Sequence, residues 1–360
     1  MNARNGLRFG LGALGAAGAM AISAAAQAQP TAASFPIPVV DRWMYSYNQF
    51  PGMETEVRCF SSLFSPLQSS FDNRDGQFLV AWETSPAVPA GQGLSHYRVL
   101  SATVTARVSG DKRFVADNTY DAFNTYLPSD PAYTPDTDVG RPLEMFVCGY
   151  RNGWTAQTFA QTGPFAAGAP FPSVARSIRN VYPAQYDGAG VLMDVSNNVE
   201  DRIEARPIGV GFATSNADVV SPPGPVSAGD LVPQNTDMVF AVDLHQREAL
   251  DAIKRGLAGG RVEFVITALA ITNQQASTVP RFYTRQWVVA NGPDAAAHPA
   301  KLEVVVCVGP PGDWNCDHQV QVQDIFDFLA DWFSGNGDFN ADGATAVQDI
   351  FDFLSAWFAG

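Results

Sequence analysis

Positive charge is what this sequence has least of. Its 360 residues carry 22 Lys and Arg against 36 Asp and Glu, a formal net charge of −14, and from Asp313 to the end there is no Lys or Arg at all. A chain this acidic has no electrostatic footprint for nucleic acid, which is held by clustered basic side chains. Its charge suits solubility, divalent cations or neutral polymers. Histidine is scarce too: His96, His245, His298 and His318 form no HExxH pattern and flank no Gly-x-Ser-x-Gly elbow, and there is no phosphate-binding loop, so no catalytic residue is nominated. Carboxylates for glycoside hydrolysis are too scattered to pair; Glu83, Glu144 and Asp194 have no pattern to recommend them. Beyond the first 28 residues no apolar run is long enough to cross a bilayer.

Those first residues are different. Arg4 and Arg8 precede a run of Ala, Gly, Leu and Met that ends at Ala26-Gln27-Ala28, a small-x-small site. The pattern predicts a signal peptide over 1–28 and an exported, extracellular or cell-surface chain; the net charge falls to −16 once the two arginines leave. In an exported chain the four cysteines favour disulfides. Cys59 with Cys148 and Cys307 with Cys316 is the preferred pairing of the three connectivities open to them.

Short alternating runs fill the middle of the chain. Phe78, Val80 and Trp82 share one side of a run, as do Ala102, Val104, Ala106 and Val108; Met238, Phe240, Val242 and Leu244; Val262, Phe264 and Ile266; and Leu302, Val304 and Val306. Period two between Gly, Pro, Asn and Asp breaks predicts half-buried antiparallel strands, with Asp75-Gly76 as a turn before the first. One helix interrupts them, HQREALDAIKRGLAGG, with Leu250, Ile253 and Leu257 on one face and Gly259-Gly260 as its stop. The expected fold class is mostly β: an antiparallel, jelly-roll-like β-sandwich over 33–308 with one short helix, then a small helical C-terminal module. Asp136-Thr137-Asp138-Val139-Gly140 reads as an Asx turn, with a structural Ca²⁺ site as the alternative. Trp43, Tyr45 and Tyr47 alternate along one strand and could serve as a sugar platform.

The order Val80 to Thr84, a Pro89-Ala90-Gly91 loop, then VLSATVTARV resembles the opening of DNRLRE-type jelly-roll domains of exported bacterial proteins. AVDL, EALDAIKRGLAGG, RVEFVI and Phe282-Tyr283-Thr284-Arg285-Gln286 follow in the family's order. Gln286 stands where the family has Glu, and residues from roughly 111 to 233 have no counterpart. The resemblance implies a structural or carbohydrate-binding jelly roll and brings no catalytic residues.

After the break Gly309-Pro310-Pro311-Gly312 the chain nearly repeats itself, in 313–335 and again in 338–360. In the second copy Asp338, Asn340 and Asp342 alternate, Gly343 follows and Asp349 closes the stretch. This D-x-N-x-D-G-x₅-D spacing is that of an EF-hand-like calcium loop, whose roughly twelve residues give a Ca²⁺ ion about six to eight oxygens. The Ala344 carbonyl sits at the seventh position, and Ala346 leaves the ninth to water. The first copy offers Asp313, Asn315 and Asp317, the Gln319 carbonyl, Gln321 through water, and Asp324, with His318 in place of the glycine and so an expected loss of affinity. Each loop runs into DIFDFL. Ile325, Phe328, Leu329 and Trp332 form the stripe expected to face the sister helix. A second stripe, Phe326 with Phe333, is duplicated by Phe351 with Phe358; together with Val322-Gln323 and Val347-Gln348 it offers two equivalent faces to a partner.

Two loop-plus-helix repeats after a Pro/Gly linker resemble a dockerin module. The resemblance implies two calcium ions as cofactors, calcium-dependent folding, and docking to a cohesin-like module or surface anchor. The function this predicts is a secreted, non-catalytic β-sandwich protein with a docking tail; the alternative is a polysaccharide lyase or hydrolase, or a carbohydrate-binding protein, carried by the same tail.

Overall fold

Alternating apolar side chains need a second apolar surface to cover them, and here two antiparallel sheets cover each other. The computed structural model describes residues 30–48, 50–62, 72–163, 179–220, 222–272, 278–340 and 342–360; the signal peptide expected over 1–28 lies outside them. In chain order the elements are β1 (Thr31–Phe35), β2 (Val40–Met44), β3 (Glu56–Arg58), β4 (Gln77–Glu83), β5 (Tyr97–Arg107), β6 (Leu143–Tyr150), β7 (Val181–Tyr186), β8 (Leu192–Asp194), β9 (Gly209–Val210), β10 (Phe212–Ser215), β11 (Gly224–Pro225), β12 (Asp237–Ala241), α1 (Arg247–Gly259), β13 (Arg261–Ala268), β14 (Arg281–Tyr283), α2 (Arg285–Asn291), β15 (Lys301–Val308), α3 (Val322–Phe333) and α4 (Val347–Ala359). One sheet runs β1-β15-β5-β12-β10-β11. The other runs β2-β4-β13-β6-β7-β8 with β9 on β6, and β14-β3 forms a separate ribbon.

Phe78, Val80 and Trp82 of β4 and Val262, Phe264 and Ile266 of β13 face Val104, Phe240, Leu302 and Val304 of the opposite sheet in one buried cluster. Each such side chain contributes about 1.5–3 kcal/mol when fully buried. Leu250, Ile253 and Leu257 of α1 join the same core. Gly256 lets the helix lie on the start of β13, since a Cβ there would stand 2.9 Å from the Arg261 carbonyl oxygen. Gly260, at φ 77°, ends the helix in the left-handed conformation.

The fold departs from the sequence reading in several places. β4 is buried on both faces, because Leu79 and Ala81 pack with Val40, Met44, Phe159, Val181 and Val265 in a second cluster. The stretch 111–233 supplies β6 to β11, so it is woven through both sheets. A second helix, α2, follows β14; Thr284 caps it by accepting the Gln286 N–H. Asp75-Gly76 makes no hairpin turn. Gly76 pairs with Phe60, and Asp75 is buried and held by Arg179 and Ser62. Cys59 and Cys148 are both free. The Cys59 thiol points to the Ile266 carbonyl in the inter-sheet core, whereas Cys148 packs against the cluster on the outer face, so a sheet separates them. Cys307 and Cys316 are joined.

Candidate functional site

The repeated C-terminal segment folds into two loops and two helices with near two-fold internal symmetry. Phe328 and Phe353, equivalent in the two copies, stack with centroids 4.2 Å apart and planes 10° apart, and both are fully buried. Around them pack Trp314, Ile325, Leu329, Trp332, Phe339, Ile350, Leu354 and Trp357. The Trp332 indole N–H donates to the Ala346 carbonyl at 2.7 Å, and the equivalent Trp357 donates to the Gln321 carbonyl at 2.8 Å. Each helix therefore fastens the ninth position of the other copy's loop.

The loops match bond for bond. The Asp317 and His318 N–H groups donate to Asp313 at 3.0 and 2.8 Å; those of Asp342 and Gly343 donate to Asp338 at 3.1 and 2.8 Å. Asn315 and Asn340 accept from Asp317 and Asp342 at 3.0 Å in each copy, and the Gln319 and Ala344 amides donate to Asp317 and Asp342. Asp324 and Asp349 are fully buried hubs. Asp324 accepts from Trp314, Asn315 and Gln321, and Asp349 from Phe339, Asn340 and Ala346. Each carboxylate thus ties its loop to a helix N-terminus, where negative charge is favoured. His318 takes the left-handed backbone the missing glycine would have supplied, at φ 64° against 92° for Gly343. Gln321 reaches Asp317 with its side-chain amide at 2.8 Å.

Burial pushes the Asp313 and Asp338 carboxyls above their ordinary pKa; amide bonds from their loops oppose this, and neighbouring carboxylates reinforce it. The loops offer Asp and Asn side-chain oxygens and backbone carbonyls, the donor type a hard divalent ion takes, whereas among the described residues three carboxylates bring oxygens within 4.8 Å of one another only at Asp117, Asp121 and Asp138. Asp313, Asn315, Asp317, Gln319, Gln321 and Asp324 would hold one ion, and Asp338, Asn340, Asp342, Ala344 and Asp349 the other.

The remaining predicted residues stand outside. Phe326, Phe333, Phe351 and Phe358 are 62%, 79%, 63% and 77% exposed, and Val322 and Val347 more than half exposed. Gln323 and Gln348 bond Asp327 and Asp352 one turn on. The sandwich grips the other side. Arg98 of β5 lies 3.8 Å over the Trp314 ring, pairs with Asp331 at 2.9 Å and donates to the Trp314 carbonyl. A cavity of about 550 Å³ remains between the two parts, lined by His96, Arg98, His245, Lys254, Asp313 and Asp338 among others. Arg98 carried no signal in the sequence, being one arginine on an alternating strand.

The other residues singled out in the sequence have protein partners. Trp43 and Tyr45 stack on each other at 4.7 Å and Phe60 abuts both, so these ring faces are covered by protein; Tyr47 is 37% exposed. Glu144 is buried against Arg74 at 2.5 Å, Asp194 pairs with Arg151, and Glu83 bonds Ser85 at the surface. Asp117, Asp121 and Asp138 bring carboxylate oxygens within 4.8 Å of one another. Arg141 bridges Asp121 and Asp136, and the Thr119 hydroxyl links Asp117 to Asp138. No helix among the described residues is long and apolar enough to cross a membrane.

Compared with known proteins, the chain matches no protein-family model and no curated sequence.

Proposed function

We propose that this is an exported, non-catalytic sandwich protein whose C-terminal segment is a dockerin-like module, organised by two calcium ions and docking onto a cohesin-like module or surface anchor. One observation carries the reading: each helix buries one Phe completely and leaves two others, in equivalent positions, more than half exposed. Exposed aromatic residues in two matching sets are costly to keep in water unless something covers them. The sequence spacing and the Asp and Asn oxygens of the loops support the ions; the antiparallel sandwich, with β12 and β13 in opposite sheets on either side of α1, supports the jelly-roll-like reading.

Calcium would neutralise the three aspartates of each loop, whose mutual repulsion opposes folding. The chain does the rest. Asp324 and Asp349 close the loops on the helices, the crossed tryptophan bonds set one helix against the other, and the buried Phe pair fixes their spacing. The outward phenylalanines then form a rigid apolar face on an acidic module without Lys or Arg, complementary to an apolar patch with a basic rim.

The test is binding of the mature chain to an immobilised recombinant cohesin module in millimolar calcium and in EDTA. Retention in calcium, its loss in EDTA, and its loss in a Phe326→Ala/Phe333→Ala/Phe351→Ala/Phe358→Ala variant are expected. Binding that survives EDTA, or a variant that binds as well as the parent, would reject the reading.

A further inference from the structure

The two loops share a pattern of bonds but are not held alike. Cys316 is the fourth residue of the first loop, between Asn315 and Asp317, and it is bonded to Cys307 near the end of β15. Cys307 lies directly across the β15–β5 pairing from Arg98. Adjacent positions on two strands therefore grip Trp314 and Cys316, one by guanidinium and one by a covalent bond. The second loop has Ala341 where the first has Cys316.

The backbones carry a different residue at the sixth position. His318 takes the left-handed region at φ 64° where the second loop has Gly343 at φ 92°, and Cys316 is left-handed too, at φ 66°. Left-handed backbone is costly for a residue with a Cβ and nearly free for glycine. An uncross-linked first loop would leave that conformation often, and an arriving ion would have to restore it as well as bring three aspartates together.

We infer that the Cys307–Cys316 disulfide pre-forms the first calcium loop, offsetting its missing glycine, so that oxidation sets the affinity of the first site and leaves the second unaffected. A cross-link removes loosened loop conformations from the ensemble, and a site already ordered binds without that cost. Opening it takes two electrons and two protons from a dithiol reductant, yielding the Cys307 and Cys316 thiols and the cyclic disulfide of the reductant. This inference rests on the calcium reading proposed above.

The experiment is calorimetric titration of the mature chain with CaCl₂ in three forms: oxidised, reduced with dithiothreitol, and Cys307→Ser. Two ions bound by the oxidised chain are expected. In the reduced chain and in Cys307→Ser, one site should weaken at least tenfold while the other stays within twofold, which also shows that the variant is folded. Adding His318→Gly to Cys307→Ser should recover at least threefold at the weakened site. Two ions bound identically in all forms would overturn the inference alone, as would equal weakening of both sites. No calcium bound by the oxidised chain would overturn the docking reading and the inference together.

Discussion

Phe326 and Phe328 are the same residue type two positions apart on α3, and their truncation should have opposite consequences. Phe328 is fully buried. It stacks on Phe353 at 4.2 Å and meets Trp314 edge-on at 4.9 Å and Phe339 at 6.3 Å. Truncating a buried Phe to Ala costs about 3–5 kcal/mol, and each well-placed aromatic pair adds about 0.5–1.5 kcal/mol beyond its area. Phe328→Ala should therefore cost about 4–5 kcal/mol. That is about a thousandfold or more in the folding equilibrium of a module too small to spare it. The calcium reading proposed above couples folding to ion binding, so the calcium needed for half-maximal folding should rise steeply. Phe326, 62% exposed, should cost no more than about 0.5 kcal/mol when cut to Ala, as surface substitutions do, while weakening the docking proposed above. Near-ultraviolet circular dichroism during a calcium titration reads this directly, since Trp314 sits on the Phe328 ring. If Phe328→Ala kept the parent's calcium midpoint, or if Phe326→Ala shifted it as far, the packing argument for the module would be wrong.

Two further outcomes concern the sandwich. Burial pushes the Asp41 carboxyl up to about 7 against the hydrogen bonds from Arg285 and Gln161, with Glu54 adding to the rise. A folded pKa above the unfolded value means stability is fullest below about pH 4 and is lost as pH rises towards 7. Relative to Asp41→Asn, the parent should gain about 2–3 kcal/mol on going from pH 8 to pH 5 by urea unfolding; a difference independent of pH would refute the assignment. Arg74 is buried with Glu144 at 2.5 Å and lies over the Phe146 ring, so Arg74→Met should cost about 3–5 kcal/mol by leaving a buried carboxylate unpaired. Arg74→Met/Glu144→Gln should recover most of that loss in the same denaturation assay.

What could be read in the sequence was what depends on neighbours close along the chain. β5 faces its core on one side only, so Ala102, Val104 and Ala106 stand out at alternate positions. The regular spacing of aspartates in the two repeats and the Phe stripes are local for the same reason. β4 is buried on both faces, which hides which of its residues face the other sheet. β6 joins its sheet through a pairing with a distant strand, Val265 with Phe146, as β10 does through Phe212 with Val239, and no local pattern announces those. The Cys59–Cys148 pairing failed because parity of cysteines says nothing about which side of a sheet each thiol takes. Arg98 was invisible because its partners, Trp314 and Asp331, lie more than 200 residues away.

The crossed indole bonds, Trp332 to the Ala346 carbonyl and Trp357 to the Gln321 carbonyl, make the duplication indivisible. A chain cut after Gly335 would not keep half of this segment as it stands here. Its lone helix would lack the Trp357 that anchors its own loop, and its Phe328 would have no Phe353 to rest on.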